Sequence, residues 1–228
     1  MNHIYLDNAA SAPMFPEVIR TMTEIMTSAP GNPSSTHFQG RTARAKIEKA
    51  RKEVAEHLGA DSSEIFFTSG GTESNNTVLR DAVEQMGVAR IITAPTEHSS
   101  VLNTLEYLQR TRGPEIIYLP VDHQGRIDPE ELKNELGGSK QKTLVSLMHA
   151  NNETGLLHPI KKIGEICRDS NALFHTDAVQ TVGHLPLDLS SGLITFLSAS
   201  AHKFHGPKGT GSALRFQTLW EHGYNAHR

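Results

Sequence analysis

The sequence predicts an α/β fold, a mostly parallel central sheet with helices on both faces. Three observations carry this. Short apolar runs alternate with amphipathic stretches along the whole chain. The runs are too short for helices and rich in β-branched or aromatic residues, which marks them as strands. Polar residues and glycines collect directly after the runs, where ligands bind in such sheets. With 228 residues, 37% hydrophobic and 21% charged, the chain has the makeup of one large globular domain.

Strands are expected at 65–67 (IFF), 89–93 (ARIIT), 115–119 (EIIYL), 143–148 (TLVSLM), 172–175 (ALFH), 194–197 (ITFL) and 212–216 (SALRF). Helices are expected between them. Over 42–58, Ala43, Ile47, Ala50, Val54 and Leu58 share one stripe, and the charged residues fill the other, solvated face. Further helices fit 73–86, 99–110, 129–136 and 160–170. The third of these starts at Asp128-Pro129, an N-cap followed by proline at the first helical position. No repeat or low-complexity segment interrupts the alternation.

Net charge is −3 and no basic run occurs, which argues against nucleic-acid and anionic-membrane partners. A single cysteine permits no internal disulfide and fits a reducing compartment. The start, MNHIYLDNAASAP, lacks a basic stretch followed by an apolar core, so no signal peptide is expected. No apolar run approaches the roughly 20 residues of a membrane span. A cytoplasmic protein is the expectation.

The strand ends hold the chemistry. After 65–67 comes TSGGTESNN, where Gly70 and Gly71 make a tight turn free of side chains and a helix begins around Thr72. Free N–H groups at a helix start beside a hydroxyl suit phosphate, although an ordinary strand–helix turn has the same look. Neither this stretch nor GPKGTGS fits a Walker or dinucleotide pattern, so nucleotide binding is disfavoured. His98 sits at the next helix start, either as a cap or as a site residue. Asn152 follows 143–148, and Asp177 and Gln180 follow 172–175. An acid ending a buried strand is costly unless paired, so Asp177 is either a helix cap or faces a cation. The last strand end, SASAHKFHGPKGTG, brings Ser200, His202 and Lys203. Lys203 lies just past the strand and can reach the crevice, whereas Lys208 lies beyond Gly206-Pro207 and is expected at the solvent. Phosphate donors, an imidazole, an amide, a carboxylate and a lysine converge. A ligand with a phosphate, a flat ring, a protonatable ring nitrogen and an aldehyde would use them all. That ligand is pyridoxal 5′-phosphate.

The stretches IYLDNAASAP, GNPSSTHFQGR, FTSGGTESNN, TEHSSV, HANNETG, FHTDAVQ and SASAHKFHGPKGTG resemble, in this order, the motifs of cysteine desulfurases. These form part of the class V aminotransferase branch of the fold-type I pyridoxal phosphate enzymes. The resemblance implies that Lys203 is the Schiff-base lysine and that His98 stacks on the cofactor ring as a candidate acid/base. It implies that Asp177 keeps the pyridinium nitrogen protonated, and that Gln180 bonds the ring's phenolic oxygen with Asn152 near the same edge. Gly71, Thr72, Ser200 and His202 would bind the phosphate. It further implies L-cysteine as substrate, alanine and a persulfide as products, a homodimer, and an iron–sulfur scaffold or other sulfur acceptor as partner.

By the same resemblance, residues 1–15 form a segment that packs with a small C-terminal domain, 16–216 form the cofactor-binding large domain, and 217–228 match nothing. The small domain, largely absent here, would carry the nucleophilic cysteine and the arginine that grips the substrate carboxylate, so complete turnover is not expected of this chain alone. Without that domain, residues 1–13 should expose apolar surface. Cys167, on the apolar stripe of Ile160, Ile163 and Ile166, reads as a buried structural thiol rather than a substitute nucleophile. Three other readings stay open. One is a related class V enzyme, such as a selenocysteine lyase or aminotransferase. Another is a metal site around His202 and His205, against which stand the loop setting and the lack of a His-Glu-x-x-His motif. The third is a scaffold fragment that binds no cofactor. No metal is expected.

Overall fold

The computed structural model describes residues 4–215. Along the chain run α1 (Pro16–Ser28), α2 (Phe38–Leu58), β1 (Ile65–Thr68), α3 (Gly71–Glu84), β2 (Arg90–Thr93), α4 (Ser99–Arg112) and β3 (Glu115–Tyr118). Then follow α5 (Pro129–Gly137), β4 (Thr143–Ser146), α6 (Ile160–Asp169), β5 (Leu173–Asp177), β6 (Phe196–Ser200) and β7 (Gly211–Arg215). The strands make one sheet in the order β1-β7-β6-β5-β4-β2-β3. From β6 through β5, β4 and β2 to β3 every pair is parallel, and β7 is antiparallel to both its neighbours. This is the α/β architecture with a mostly parallel sheet that the sequence predicts.

Strand side chains alternate between two cores, because successive residues point to opposite faces. Ile91 and Leu144 join Val78, Leu79, Leu105 and Leu108 from α3 and α4 on one face. Their neighbours Ile92 and Val145 join Leu132, Ile163 and Cys167 from α5 and α6 on the other. Each fully buried leucine or isoleucine contributes about 1.5–3 kcal/mol relative to exposure. Both layers are thus anchored to the strands whose ends carry polar residues.

Three differences from the sequence expectation have local causes. Helix α2 begins at Phe38 rather than 42, because the ring of His37 accepts a bond from the Gly40 N–H (3.3 Å) and caps the extra turn. Helix α1 was not foreseen; it starts on Pro16 at its first position and buries none of its residues. Strand β6 runs Phe196–Ser200 rather than 194–197. Ser198, Ala199 and Ser200 lack the apolar signal, yet β7 pairs all three and β5 pairs Ser198. Phe216 and the tail 217–228 lie outside the described residues.

Gly211 explains how the first strand's turn reaches the last strand's end. It pairs with Thr68 on one side and Ser200 on the other. A side chain there would place its Cβ 2.6 Å from Gly70 Cα and 2.8 Å from the Ala199 carbonyl. The two backbones touch, so the start of α3 sits against Ser200. Among the described residues, no helix is long and apolar enough to cross a membrane.

Candidate cofactor site

The carboxyl ends of the parallel strands surround a crevice enclosing about 180 Å³. Its walls include every site residue taken from the sequence: Gly71 and Thr72 after β1, His98 after β2, Asn152 after β4, Asp177 and Gln180 at β5, and Ser200, His202 and Lys203 at β6. Residues separated by over a hundred positions meet here because parallel strands all release the chain on the same side.

Asp177 is the last residue of β5 and is buried. Its Oδ2 accepts from Asn75 Nδ2 at 2.7 Å, and its Oδ1 accepts from the Val179 N–H at 3.0 Å. Burial raises the pKa of this carboxyl; the bonds from Asn75 and Val179 and the nearby His98 and Lys203 oppose the rise. Asp177 caps the turn after β5, and it offers a desolvated carboxylate that a cationic ring nitrogen would relieve.

His98 also plays two parts. It is the N-cap of α4, where Nδ1 accepts from the Ser100 N–H (3.1 Å) and lies 2.8 Å from Ser100 Oγ. A nitrogen that accepts a backbone N–H carries no proton, so the neutral ring holds its proton on Nε2. Ser100 Oγ in turn accepts from Asn75 Nδ2 at 2.9 Å. Asn75 thus ties the imidazole of β2's exit to the carboxylate of β5. The sequence reading missed Asn75 and Ser100. A signal existed: Asn75 lies on the buried stripe of α3 with Val78, Leu79 and Ala82, where an amide has no packing reason to be.

Lys203 ends a single 3₁₀ turn, Ala201–Lys203, directly after β6. Its Nζ donates to the Ala9 carbonyl at 2.5 Å, and Gln180 Nε2 donates to the same oxygen at 3.0 Å. Burial lowers the pKa of the amine, while Asp177 and Asp7 act in the opposite direction. The N-terminal strap that carries Ala9 is fixed to the lysine loop. Ala12 N–H donates to the His202 carbonyl (2.8 Å), Phe15 N–H donates to that of His205 (3.2 Å), and Phe15 stacks on the His205 ring. Further along the same segment Ile4 and Leu6 are exposed, as expected.

On the phosphate side, α3 starts at Gly71 with no side chain capping its free N–H groups. A Cβ on Gly71 would lie 2.6 Å from Val179 Cγ2 and 3.7 Å from Ser200 Cβ, so the helix start is pressed close to the end of β6. His202 has its pKa lowered by burial and by Lys203 and Lys208. Lys208 is exposed and borders a neighbouring hollow beside Gly70 and Thr72. His205 bonds the Pro13 carbonyl through Nδ1 (2.8 Å). Asn152 is exposed at the crevice mouth.

Pyridoxal phosphate passes a fit test on these atoms. An uncapped helix N-terminus suits its phosphate, Asp177 its ring nitrogen, and an amine of lowered pKa its aldehyde. Asn75 Oδ1, buried without a partner, shows that the polar network beneath the crevice is not closed among the described protein atoms. Cys167 lies elsewhere, buried in α6, with its thiol pushed up to about 12 by burial.

Comparison with known proteins agrees with the geometry. The family model described as Aminotransferase class-V matches residues 4–221. The chain is 46% identical over 211 residues to "Cysteine desulfurase IscS" of Dictyoglomus turgidum, covering 92% of this chain and 53% of that protein. It is 45% identical to the protein of the same name from Methanosarcina thermophila, covering 92% and 52%. The chain spans about half the length of these curated relatives. Among solved structures, "NIFS-LIKE PROTEIN" superimposes with a TM-score of 0.91 at 40% identity, over 96% of this chain and 60% of that one. "SspA in complex with cysteine" gives 0.87 at 34% identity, over 93% and 61%. The chain belongs to the class V aminotransferase family.

Proposed function

We propose that this class V chain binds pyridoxal 5′-phosphate and carries the cofactor side of cysteine desulfuration: L-cysteine loses its sulfur to a thiol and leaves as L-alanine. The observation that carries this is the convergence of Lys203, His98 and Asp177 on one crevice beside the uncapped start of α3. The similar structure of SspA is a complex with cysteine, which supports the choice of substrate.

When bound, the cofactor supplies an electron sink for bonds broken at the substrate's α carbon. Asp177 would keep the ring nitrogen protonated, and Asn75 and the Val179 N–H hold that carboxylate in place. Lys203 must be neutral to hold the aldehyde, and burial favours the neutral amine. The same Nζ, when neutral, could take the proton from the substrate's α carbon. His98 would cover the ring with its proton on Nε2, set by the bonds at Nδ1. Gly71, Thr72, Ser200 and His202 would hold the phosphate. Gln180 and Asn152 would meet the opposite edge, which requires Gln180 to exchange its bond to Ala9.

The sulfur must be taken by a thiol outside this sequence. Cys167 is its one cysteine, and a buried thiol with a pKa of about 12 offers almost no thiolate. In this reading the chain acts in the cytoplasm as a homodimer with residues 1–15 against a small domain, and a sulfur-acceptor or iron–sulfur scaffold protein receives the product; the likeness to cysteine desulfurases supports these partners.

The test is direct. Protein mixed with pyridoxal phosphate should gain a visible absorption band, and borohydride should fix the cofactor on Lys203. Lys203→Ala should lose both the band and the adduct. An adduct on Lys208 with Lys203 unmodified would overturn the assignment.

A further inference from the structure

Between β2 and β4 the two chain segments part after Thr93 and Ser146, whose contact is the bond from Thr93 Oγ1 to the Ser146 carbonyl (2.9 Å). One exit, through Thr96 and Glu97, delivers His98. The other, through Met148 and Asn151, delivers Asn152. Beyond the sheet these exits need another means of staying in register.

Two side chains supply it, one from each exit. Glu97 Oε1 accepts from the Met148 N–H at 2.8 Å, so the first exit grips the backbone of the second. Asn151 Nδ2 donates to the Thr96 carbonyl at 2.8 Å, so the second grips the backbone of the first. Asn151 also braces its own turn, with Oδ1 accepting from the N–H groups of Glu153 (2.8 Å) and Thr154 (2.9 Å). Glu97 and Asn151 are only 5% and 7% exposed. A carboxyl and an amide are expensive to bury, and neither offers packing that an apolar residue could not. Their directional bonds are the reason to keep them.

We propose that Glu97 and Asn151 form a reciprocal clamp, positioning residues that hold the His98 ring and the Asn152 turn in register on the crevice wall. The clamp rests on the cofactor reading above for what it serves, but its effect on His98 does not require cofactor. Burial pushes the pKa of the Glu97 carboxyl well above the usual range; the bond from the Met148 N–H opposes the rise and the nearby Asp177 adds to it. Glu97 Oε2 is buried with no partner among the described residues.

Glu97→Gln keeps an acceptor oxygen for the Met148 N–H. Glu97→Ala deletes the acceptor, and Glu97→Asp draws it back by one methylene. The readout is the His98 ring resonance in histidine-labelled, cofactor-free protein, assigned through His98→Gln, followed by a pyridoxal phosphate titration. Glu97→Gln should match wild type. Glu97→Ala and Asn151→Ala should each displace the His98 resonance and weaken cofactor binding by about tenfold. The double variant should be little worse than either single one, since each breaks the same clamp. Should Glu97→Ala fail to fold, Glu97→Asp carries the decision with the same expected displacement. An unmoved His98 resonance with affinity kept within about twofold would overturn the clamp. If wild type binds no pyridoxal phosphate, the cofactor reading fails while the resonances still decide the clamp.

Discussion

At the floor of the crevice, Asp177, Asn75 and Ser100 are 7%, 1% and 7% exposed, and side chain bonds side chain. On the N-terminal strap, Ile4 and Leu6 are 81% and 86% exposed, and the attachments run mainly through main chain. The floor's atoms are desolvated, so changing one polar atom there alters both charge and register. The strap's side chains are replaceable so long as its backbone bonds survive. Sensitivity to substitution should therefore fall steeply from floor to strap.

The largest effect should come from Asp177→Asn. It removes the carboxylate that would face the cofactor's ring nitrogen, and pyridoxal phosphate affinity should fall by about two orders of magnitude. Cofactor-free protein should move the other way. A carboxyl whose pKa is raised on folding stabilises the fold below its unfolded pKa and loses that contribution as pH rises through the native value. Above the unfolded pKa the buried acid is a cost, and asparagine removes it. Asn75 can turn its unpartnered Oδ1 toward the new amide. The melting temperature of the cofactor-free variant should equal or exceed that of wild type. A variant that loses stability but keeps cofactor affinity would reverse the roles given to the floor.

How far each region could be read from the sequence follows the same divide. The nine crevice residues were legible because each follows an apolar run, and parallel strands bring all such ends together. His98 and Asp177 read as caps or as site residues; the structure makes both of them caps and also puts both on the crevice wall, because a cap at a strand exit already faces the crevice. What stayed hidden was the layer beneath. Asn75, Ser100, Glu97 and Asn151 act through partners 25 to 102 positions away, and a local pattern, even the out-of-place amide of Asn75, does not name the partner. Strand β6 was displaced because its serines carry no apolar signal. Helix α1 was missed because an exposed helix leaves little pressure for a periodic core stripe.

An intermediate effect should appear below the floor, where the sheet buries an imidazole. His175 is fully buried, with Nδ1 2.9 Å from Ser146 Oγ and Nε2 3.1 Å from Ser198 Oγ. Burial lowers its pKa from 6.5 to about 3. The unfolded chain then binds more protons than the native one between those values, so stability is full above the upper value and is lost as pH falls. The slope is about 1.4 kcal/mol per pH unit for one such histidine. His149, lowered to about 4, and His158 act in the same direction. Urea midpoints measured from neutral toward acid should fall in wild type and fall less steeply in His175→Gln, which keeps polar atoms for both serines. Equal slopes would show that His175 takes no part in acid unfolding.

The smallest effect should lie on the strap, where Phe15 separates its two kinds of attachment. Its ring stacks on His205 with centroids 4.0 Å apart, and its N–H donates to the His205 carbonyl. Phe15→Ala removes the ring alone; at a half-exposed position this should cost no more than about 1 kcal/mol. Phe15→Pro removes the ring and the N–H together. The native φ of −65° already suits proline, so backbone strain at this residue adds little. If main-chain bonds hold the strap, Phe15→Pro should cost about 1 kcal/mol more than Phe15→Ala in thermal melts. It should also loosen Ala9 from Lys203 and Gln180, which Phe15→Ala should leave in place. Equal melting temperatures for the two variants would place the hold in the stacked rings, and the contrast with the floor would then be one of exposure alone.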